Sequence, residues 1–186
     1  MNNNQSKTYA GFWPRVKAFA LDYMIILFYL AVLTLLFLVF NSPFCVNHLF
    51  FSITHWLFAN HIRAQLTGFL LITLPVTLYF ALSESSAQQA TWGKKRMGVI
   101  VTDPNGERIN FWRSLARTFL KFIPWELSHT LIWRINFSPQ AGSTLINYGF
   151  TLVYLLVGTN IASLLITEKH QTLYDLLANT YVVKIA

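Results

Sequence analysis

The chain has 186 residues, of which 54% are apolar and only 11% carry a charge. An average soluble domain is about one-quarter charged, so this composition excludes a disordered chain and argues against an ordinary soluble enzyme. The 14 Lys and Arg residues outnumber the 7 Asp and Glu residues, which gives a net charge of +7. A basic excess is typical of nucleic-acid binding or of a membrane surface, and the apolar content favours the membrane.

Three apolar segments are long enough to cross a membrane. We expect the polar residues 1–9 to form a flexible tail. The three apolar segments are Ala18–Phe40, Ala64–Leu82 and Thr144–Thr167. A spanning helix needs about 20 mostly apolar residues. The sequence therefore predicts an all-α polytopic membrane protein with three clear spans.

A fourth segment, Thr118–Trp133, is apolar but contains Lys121, Glu126 and His129. About 15 helical residues cover about 22 Å, which is short of a full crossing. Two alternatives stay open: an amphipathic helix that lies in the interface, or a crossing inside a bundle that shelters the polar groups. Counting this segment, we expect about four membrane-embedded helices.

Residues 84–117 form a basic loop between the second and the fourth of these segments. Lys and Arg collect in short loops on the cytoplasmic side. We therefore expect the N-terminus and this loop to be cytoplasmic, and we expect Lys94, Lys95 and Arg96 to meet anionic lipid headgroups.

The same loop carries the pattern of a small β-hairpin. The β-branched stretch Gly98–Thr102 is followed by the turn tetrad Asp103–Gly106. Residues 108–111 would then form the second strand of the hairpin. Pro at the second and Gly at the fourth turn position favour a type I turn. An isolated hairpin is marginal in water, so we expect the C-terminal run 180–185 to pair with it. That pairing would place the C-terminus on the cytoplasmic side and make the number of crossings even, namely four.

Asp22 is the one charged residue in the first apolar segment. An ionisable residue within a span is costly and indicates function. Arg15, seven residues earlier, returns to the same helix face. Two interpretations stay open: a proton or cation site in which Arg15 lowers the pKa of Asp22, or a structural ion pair that fixes how the helix packs.

Other polar residues in the apolar segments are weaker candidates for an ion or proton site. Glu126 and His129 share a helix face, but a metal site of this kind needs ligands from further helices, so we expect no metal. Asn160, in the last span, either lines a pore or bonds between helices. The sequence contains no nucleotide-binding or catalytic motif, so we expect neither a cofactor nor an enzyme.

Several motifs together resemble one family. Arg15 opens the first membrane helix, Asp22 follows within it, and Asp175 lies near the end of the chain. The stretches Thr91–Val101 and Gln171–Thr180, with an arginine at 117, complete the likeness. The chain resembles the RDD family of bacterial membrane proteins, named for one arginine and two aspartates. It departs from the family at Tyr174, where a histidine is frequent, so a role of that histidine in proton exchange is in doubt here.

The resemblance implies a single RDD-like membrane domain over residues 1–186 in the bacterial cytoplasmic (inner) membrane, and cation/proton antiport in some members. We expect Asp22 to bind a monovalent cation or a proton, and Asp175 to be a second acid with Arg117 as its partner. The expected partners are the lipid bilayer, monovalent cations, protons and further copies of the chain, but no nucleic acid. The alternative is a non-transporting membrane adaptor or assembly protein in which the Arg/Asp network is structural.

Overall fold

A computed structural model describes residues 8–42, 48–138 and 142–185, so the predicted tail lies outside it up to residue 7. The described residues form helices and two short strands. In chain order these are α1 (Phe12–Phe40), α2 (His48–Leu57), α3 (His61–Gly68), α4 (Leu74–Glu84), α5 (Trp92–Arg96), β1 (Val99–Thr102), α6 (Phe111–Phe137), α7 (Ser143–Ile166), α8 (Leu173–Leu177) and β2 (Tyr181–Lys184). A π-helical turn, Phe69–Thr73, joins α3 to α4.

Among the described residues, three helices are long and apolar enough to cross a membrane: Phe12–Phe40, His61–Glu84 and Thr144–Ile166. They confirm the three predicted spans and the all-α membrane fold class. The first helix begins six residues earlier than the apolar pattern indicated. Its start is compatible with Pro14, because proline lacks only an N–H that the first helical turn leaves unbonded in any case.

Helix α6 settles the length of the fourth segment. It has 27 residues, which correspond to about 40 Å, so the expectation of about 15 helical residues was wrong. The helix starts earlier because the side chain of Asn110 accepts a hydrogen bond from the Arg113 amide at 2.8 Å. It also continues through Pro124 without ending there.

The two strands form an antiparallel sheet in which Val99 lies opposite Lys184 and Thr102 opposite Tyr181. The predicted pairing of the C-terminal run is therefore confirmed. The predicted hairpin is reduced to a single bridge between Thr102 and Arg108. The pairing goes no further, because Asn110 caps α6, which begins at Phe111.

Residues 8–10 add a further pairing to β2. Tyr9 bridges Val183, and the amide of Ala10 donates to the carbonyl of Val182 at 2.8 Å. These residues are therefore held against the sheet and do not belong to a free tail. The small core beneath the sheet is made of buried apolar side chains: Ala10, Val99, Val101, Ile109 and Val182.

The chain divides into two compact units. Unit 1, in its described parts, comprises residues 8–23, 77–122 and 156–185 and contains the sheet, α5 and α8. Unit 2 comprises 24–76 and 123–155, again in its described parts, and contains α2, α3 and the π-helical turn. Most of the candidate residues fall into two clusters in unit 1 and one cluster in unit 2.

Candidate functional site

Asp22 lies on α1 in unit 1 and is only 1% exposed. The hydroxyl of Tyr79 and the amide of Gly93 donate to its Oδ1 at 2.9 and 2.8 Å, and the hydroxyl of Thr91 donates to its Oδ2 at 2.5 Å. All three donors are uncharged. No described Lys, Arg or His forms an ion pair with this carboxylate. We call Asp22 and these three residues the Asp22 cradle.

The cradle depends on a close approach between α5 and α1. Thr91 caps α5: its hydroxyl oxygen accepts from the Lys94 amide at 3.3 Å while its hydrogen points to Asp22. A Cβ at Gly93 would lie 2.1 Å from the carbonyl oxygen of Ala18. Since only glycine leaves that space, Gly93 allows its own amide to reach the carboxylate.

The ammonium group of Lys121 lies against aromatic rings that are close in sequence to residues of the Asp22 cradle. Its ammonium nitrogen lies 3.7 Å from the ring centroid of Phe80 and 4.8 Å from that of Phe19. Phe19 precedes Asp22 by about one turn on α1, and Phe80 follows Tyr79 directly. Among the described residues no carboxylate forms an ion pair with Lys121. Sequence reasoning took this lysine only as an interruption of an apolar segment, and its aromatic neighbours on other helices were not visible there.

A second cluster in unit 1 is an alternating chain of five charges, which we call the ion-pair network. Arg15 and Arg117 contact the two oxygens of Asp175 at 2.5 and 2.7 Å. Arg117 and Lys94 contact the two oxygens of Glu84 at 2.6 and 2.5 Å. Both carboxylates are fully buried, so each of the four oxygens faces a cation inside the protein.

The contact between Arg117 and Asp175 is the predicted one, but the proposed contact between Arg15 and Asp22 is wrong. Arg15 instead donates to Asp175 and to the carbonyls of Ala10 and His170 at 3.0 and 2.6 Å. The seven-residue spacing gives the helix face correctly, yet the two side chains on that face find different partners. Arg15 therefore does not neutralise Asp22.

Asp175 is held as an anion. Burial by itself raises the pKa of Asp175, and the guanidinium groups of Arg117 and Arg15 outweigh burial and hold this pKa well below its ordinary value. The carboxylate also accepts from the Thr172 amide at 3.3 Å, as part of a capping box at the start of α8. Asp175 thus ties α8 to two arginines that lie far away in the sequence.

Tyr174, the residue before Asp175, faces the same network. The guanidinium carbon of Arg117 lies 5.1 Å from the ring centroid of Tyr174. Burial raises the pKa of Tyr174, and the neighbouring Asp175 raises it further. The ring therefore stays neutral and contributes a cation–π contact.

Lys94 was expected at lipid headgroups, and that expectation is wrong. Its side chain is buried against Glu84, which sequence reasoning missed. Glu84 is the last residue of α4. Its position directly before the basic loop was the sequence signal that could have identified it as a partner of Lys94. Lys95 and Arg96 are exposed, so their contact with headgroups stays a prediction.

The secondary candidates are not members of the two clusters of unit 1. In unit 2, Glu126 accepts hydrogen bonds from the Gln65 amide and, at 2.6 Å, from the Thr73 hydroxyl. The ring of His129 packs on Trp125 with centroids 4.9 Å apart, and no ion pair joins it to Glu126 in the described chain. Sequence reasoning found Glu126 but missed its two partners.

Asn160 bonds within its own helix, where its amide nitrogen donates to the Leu156 carbonyl at 2.7 Å. Its Oδ1 is buried and has no partner in the described part of the chain. No group of three or more His, Cys, Asp or Glu residues in the described ranges is arranged to hold a metal ion.

Comparison with known proteins places the chain in a family. The sequence profile of the RDD family matches residues 9–179, a range that includes both clusters of unit 1. An uncharacterized protein, YxaI of Bacillus subtilis (strain 168), is 29% identical over 137 residues, which are 72% of this chain and 89% of the relative. No solved structure shows a significant match. The chain belongs to the RDD family and is a multi-pass membrane protein.

Proposed function

We propose that the chain is a small secondary transporter that exchanges a monovalent cation for a proton, with Asp22 binding each in turn. The observation that carries the proposal is the Asp22 cradle: a carboxylate inside a membrane-spanning helix, buried, and held by three uncharged donors. Ionisable groups within spans are costly and typically mark ion or proton pathways.

The uncharged donors matter because they leave the negative charge of Asp22 available. A carboxylate bound by two arginines already has its counter-ions, whereas Asp22 has none in the described chain. The hydroxyl oxygens of Tyr79 and Thr91 also carry lone pairs that suit a hard cation. A single negative charge is neutralised by one monovalent cation or one proton, which supports exchange between the two.

Lys121 supports the release step. Its ammonium group lies against the rings of Phe19 and Phe80. It has no ion-pair partner in the described chain. A nearby positive charge lowers the affinity of a carboxylate for a cation and for a proton alike. We therefore propose that Lys121 keeps binding at Asp22 weak enough for turnover.

The sheet of unit 1 supports a topology with four crossings. Strand β2 pairs with β1 and with residues 8–10, so all three segments must lie on one side of a membrane. Helices α6 and α7 lie between β1 and β2, and if α7 crosses then α6 must cross too. We propose that this side is the cytoplasmic side of the inner membrane, because Lys and Arg collect in residues 84–117. A cytoplasm-specific reporter fused after residue 186 should be active, and an inactive reporter would contradict this topology.

A second candidate is a membrane adaptor that does not transport. The ion-pair network favours it, because that network ties the first turn of α1, the loop 84–117 and the C-terminal segment together without leaving a carboxylate oxygen unpaired. In that case Asp22 would also be structural. The two candidates differ in one measurable property, the movement of ions.

Flux measurements test the proposal. The purified chain is placed in liposomes under a Na⁺ or K⁺ gradient, and the internal pH is followed with a dye. We expect cation-dependent proton movement that Asp22→Asn abolishes, while Glu107→Gln, which removes the charge of an exposed turn residue, leaves it unchanged. A folded wild-type chain that moves no protons under any of these gradients would overturn transport and favour the adaptor.

A further inference from the structure

Unit 2 contains a polar cluster of its own, which we call the Glu126 cluster: Glu126, Gln65 and Thr73. Glu126 lies near the middle of α6, and its two carboxylate oxygens accept one hydrogen bond each. Both donors are uncharged. No described Lys, Arg or His pairs with this carboxylate, so its negative charge has no counter-ion within unit 2.

A second observation concerns the side-chain amide of Gln65. Its amide nitrogen donates to Glu126, and its amide oxygen is buried without any partner in the described chain. A buried oxygen without a partner is unfavourable, and such groups in native structures are frequently sites of an ion, a water or a proton donor. Rotating the amide by half a turn exchanges its nitrogen and oxygen and brings the oxygen towards the carboxylate.

Thr73 adds a third oxygen from an unusual piece of backbone. It is 5% exposed and ends the π-helical turn that joins α3 to α4. Such turns insert a residue into a helix and recur at functional sites. The hydroxyl of Tyr29 donates to the carbonyl of Leu71 at 2.6 Å, which holds this turn in place.

We propose that the Glu126 cluster is a second binding site, for a small monovalent cation such as Na⁺. With the cation bound, the carboxylate oxygens of Glu126, the rotated amide oxygen of Gln65 and the hydroxyl oxygen of Thr73 surround it. Hard oxygen donors with one negative charge suit a monovalent cation, because its binding leaves the cluster neutral.

The inference goes beyond exchange at Asp22 and does not depend on it. It concerns binding at other residues, and the cluster would bind its ions in a chain that transports nothing. The test is therefore made in the Asp22→Asn background, where the carboxylate of the cradle is absent.

Difference infrared spectroscopy of the purified full chain measures the carboxylate stretching bands of Glu126. At neutral pH, spectra are taken in a buffer whose cation is too large to enter and then after addition of Na⁺. We expect Na⁺ to shift a carboxylate stretching band, and we expect this change to be missing in Glu126→Gln. Thr73→Val should weaken the apparent Na⁺ affinity about fivefold, the usual effect of losing one hydrogen-bonding group.

A matched control variant keeps the result interpretable. Thr67→Val makes the same replacement at another buried threonine of the same span and should leave the Na⁺ affinity unchanged. Should Glu126→Gln fail to fold, the comparison of Thr73→Val with Thr67→Val decides the matter. The inference is overturned if the Asp22→Asn chain shows no Na⁺-sensitive carboxylate band, or if both threonine variants bind Na⁺ like their parent.

Discussion

Unit 1 buries three carboxylates, and it holds them in two different ways. Glu84 and Asp175 have Arg or Lys nitrogens 2.5 to 2.7 Å from every oxygen. Asp22, which is buried as deeply, accepts only from hydroxyl groups and a peptide amide. The comparison separates a charge that is permanently neutralised from one that stays available. It also shows that Arg15 pairs with Asp175 and not with Asp22.

The two arrangements imply different energetic roles. Removing one partner of a buried ion pair costs about 3–5 kcal/mol, because the other charge is left unpaired. Removing one uncharged hydrogen-bond donor costs about 1 kcal/mol. We therefore expect the ion-pair network to determine stability and the Asp22 cradle to determine ion movement. Four experiments test this division, beginning with the largest effect.

Arg117→Met should have the largest effect on stability. The substitution keeps a long apolar side chain but leaves Glu84 and Asp175 each short of a cation, and we expect the folded state to lose about 3–5 kcal/mol. Thermal unfolding in detergent measures the loss. Arg113→Met, about one turn earlier on α6, has no ion pair in the described chain and serves as the matched control. Equal unfolding temperatures for the two variants would show that the network is not structural.

Acidification should weaken the same network by a smaller amount, since Arg117 keeps its contact with Glu84 until that carboxylate is protonated as well. Because the pKa of Asp175 is lower in the folded chain than the ordinary value of about 3.9, the unfolded chain takes up the proton first. The stability from Asp175 is therefore complete above about pH 5, and it declines progressively as the pH falls below about 4 towards the lowered pKa of the folded chain. Denaturation curves from about pH 6 to about pH 3 should show this decline, with a shallower one in Asp175→Asn. Parallel declines would contradict the assignment.

Gly93→Ala should disturb the Asp22 cradle by pushing α5 away from α1. The added Cβ would lie 2.1 Å from the Ala18 carbonyl and 2.9 Å from the Asp22 carboxyl carbon. Overpacking of this kind costs about 1–3 kcal/mol of folding stability. We expect the proton flux to fall by a larger fraction than the folded population does. Gly158→Ala, at a position with nothing within 4 Å, is the control. If both variants move protons at the wild-type rate, the close approach is irrelevant to function.

Thr91→Val should have the smallest effect on stability, about 1 kcal/mol, because it removes one donor to Asp22 and the cap of α5. Thr102→Val makes the same change at an equally buried residue whose hydroxyl has no partner in the described chain. We expect that control to be neutral or slightly stabilising, since no hydrogen bond is lost. Flux and unfolding of the pair are compared directly, and identical behaviour would mean that the Thr91 contact contributes nothing.

The sequence was sufficient for those features that depend on local pattern. Long apolar runs identify the three spans, and the β-branched run 180–185 identifies β2 as the partner of the loop strand. The fourth helix was underestimated because its polar ends, which dilute its hydropathy, are as helical as its middle. Periodicity placed Arg15 and Asp22 on one face but carried no information about which neighbour each would meet.

Most of the contacts that the sequence did not predict join residues that are far apart in the chain. Gln65 and Thr73 reach Glu126 across 61 and 53 residues, and Arg117 reaches Glu84 across 33. The π-helical turn also shifts the helical phase before Thr73, so an ideal helix of 3.6 residues per turn would misplace that side chain. Tertiary packing, and no signal within either segment, decides these pairs.

The most direct test of the division compares Asp22→Asn with Asp175→Asn in a single preparation series. Both are isosteric losses of a buried carboxylate charge in unit 1. Cation-driven proton flux per folded molecule and the unfolding temperature are measured for each. We expect Asp22→Asn to lose flux with little change in unfolding temperature. We expect Asp175→Asn to unfold at a much lower temperature while its folded fraction still transports. Full flux per folded molecule in Asp22→Asn would contradict the proposed role of Asp22.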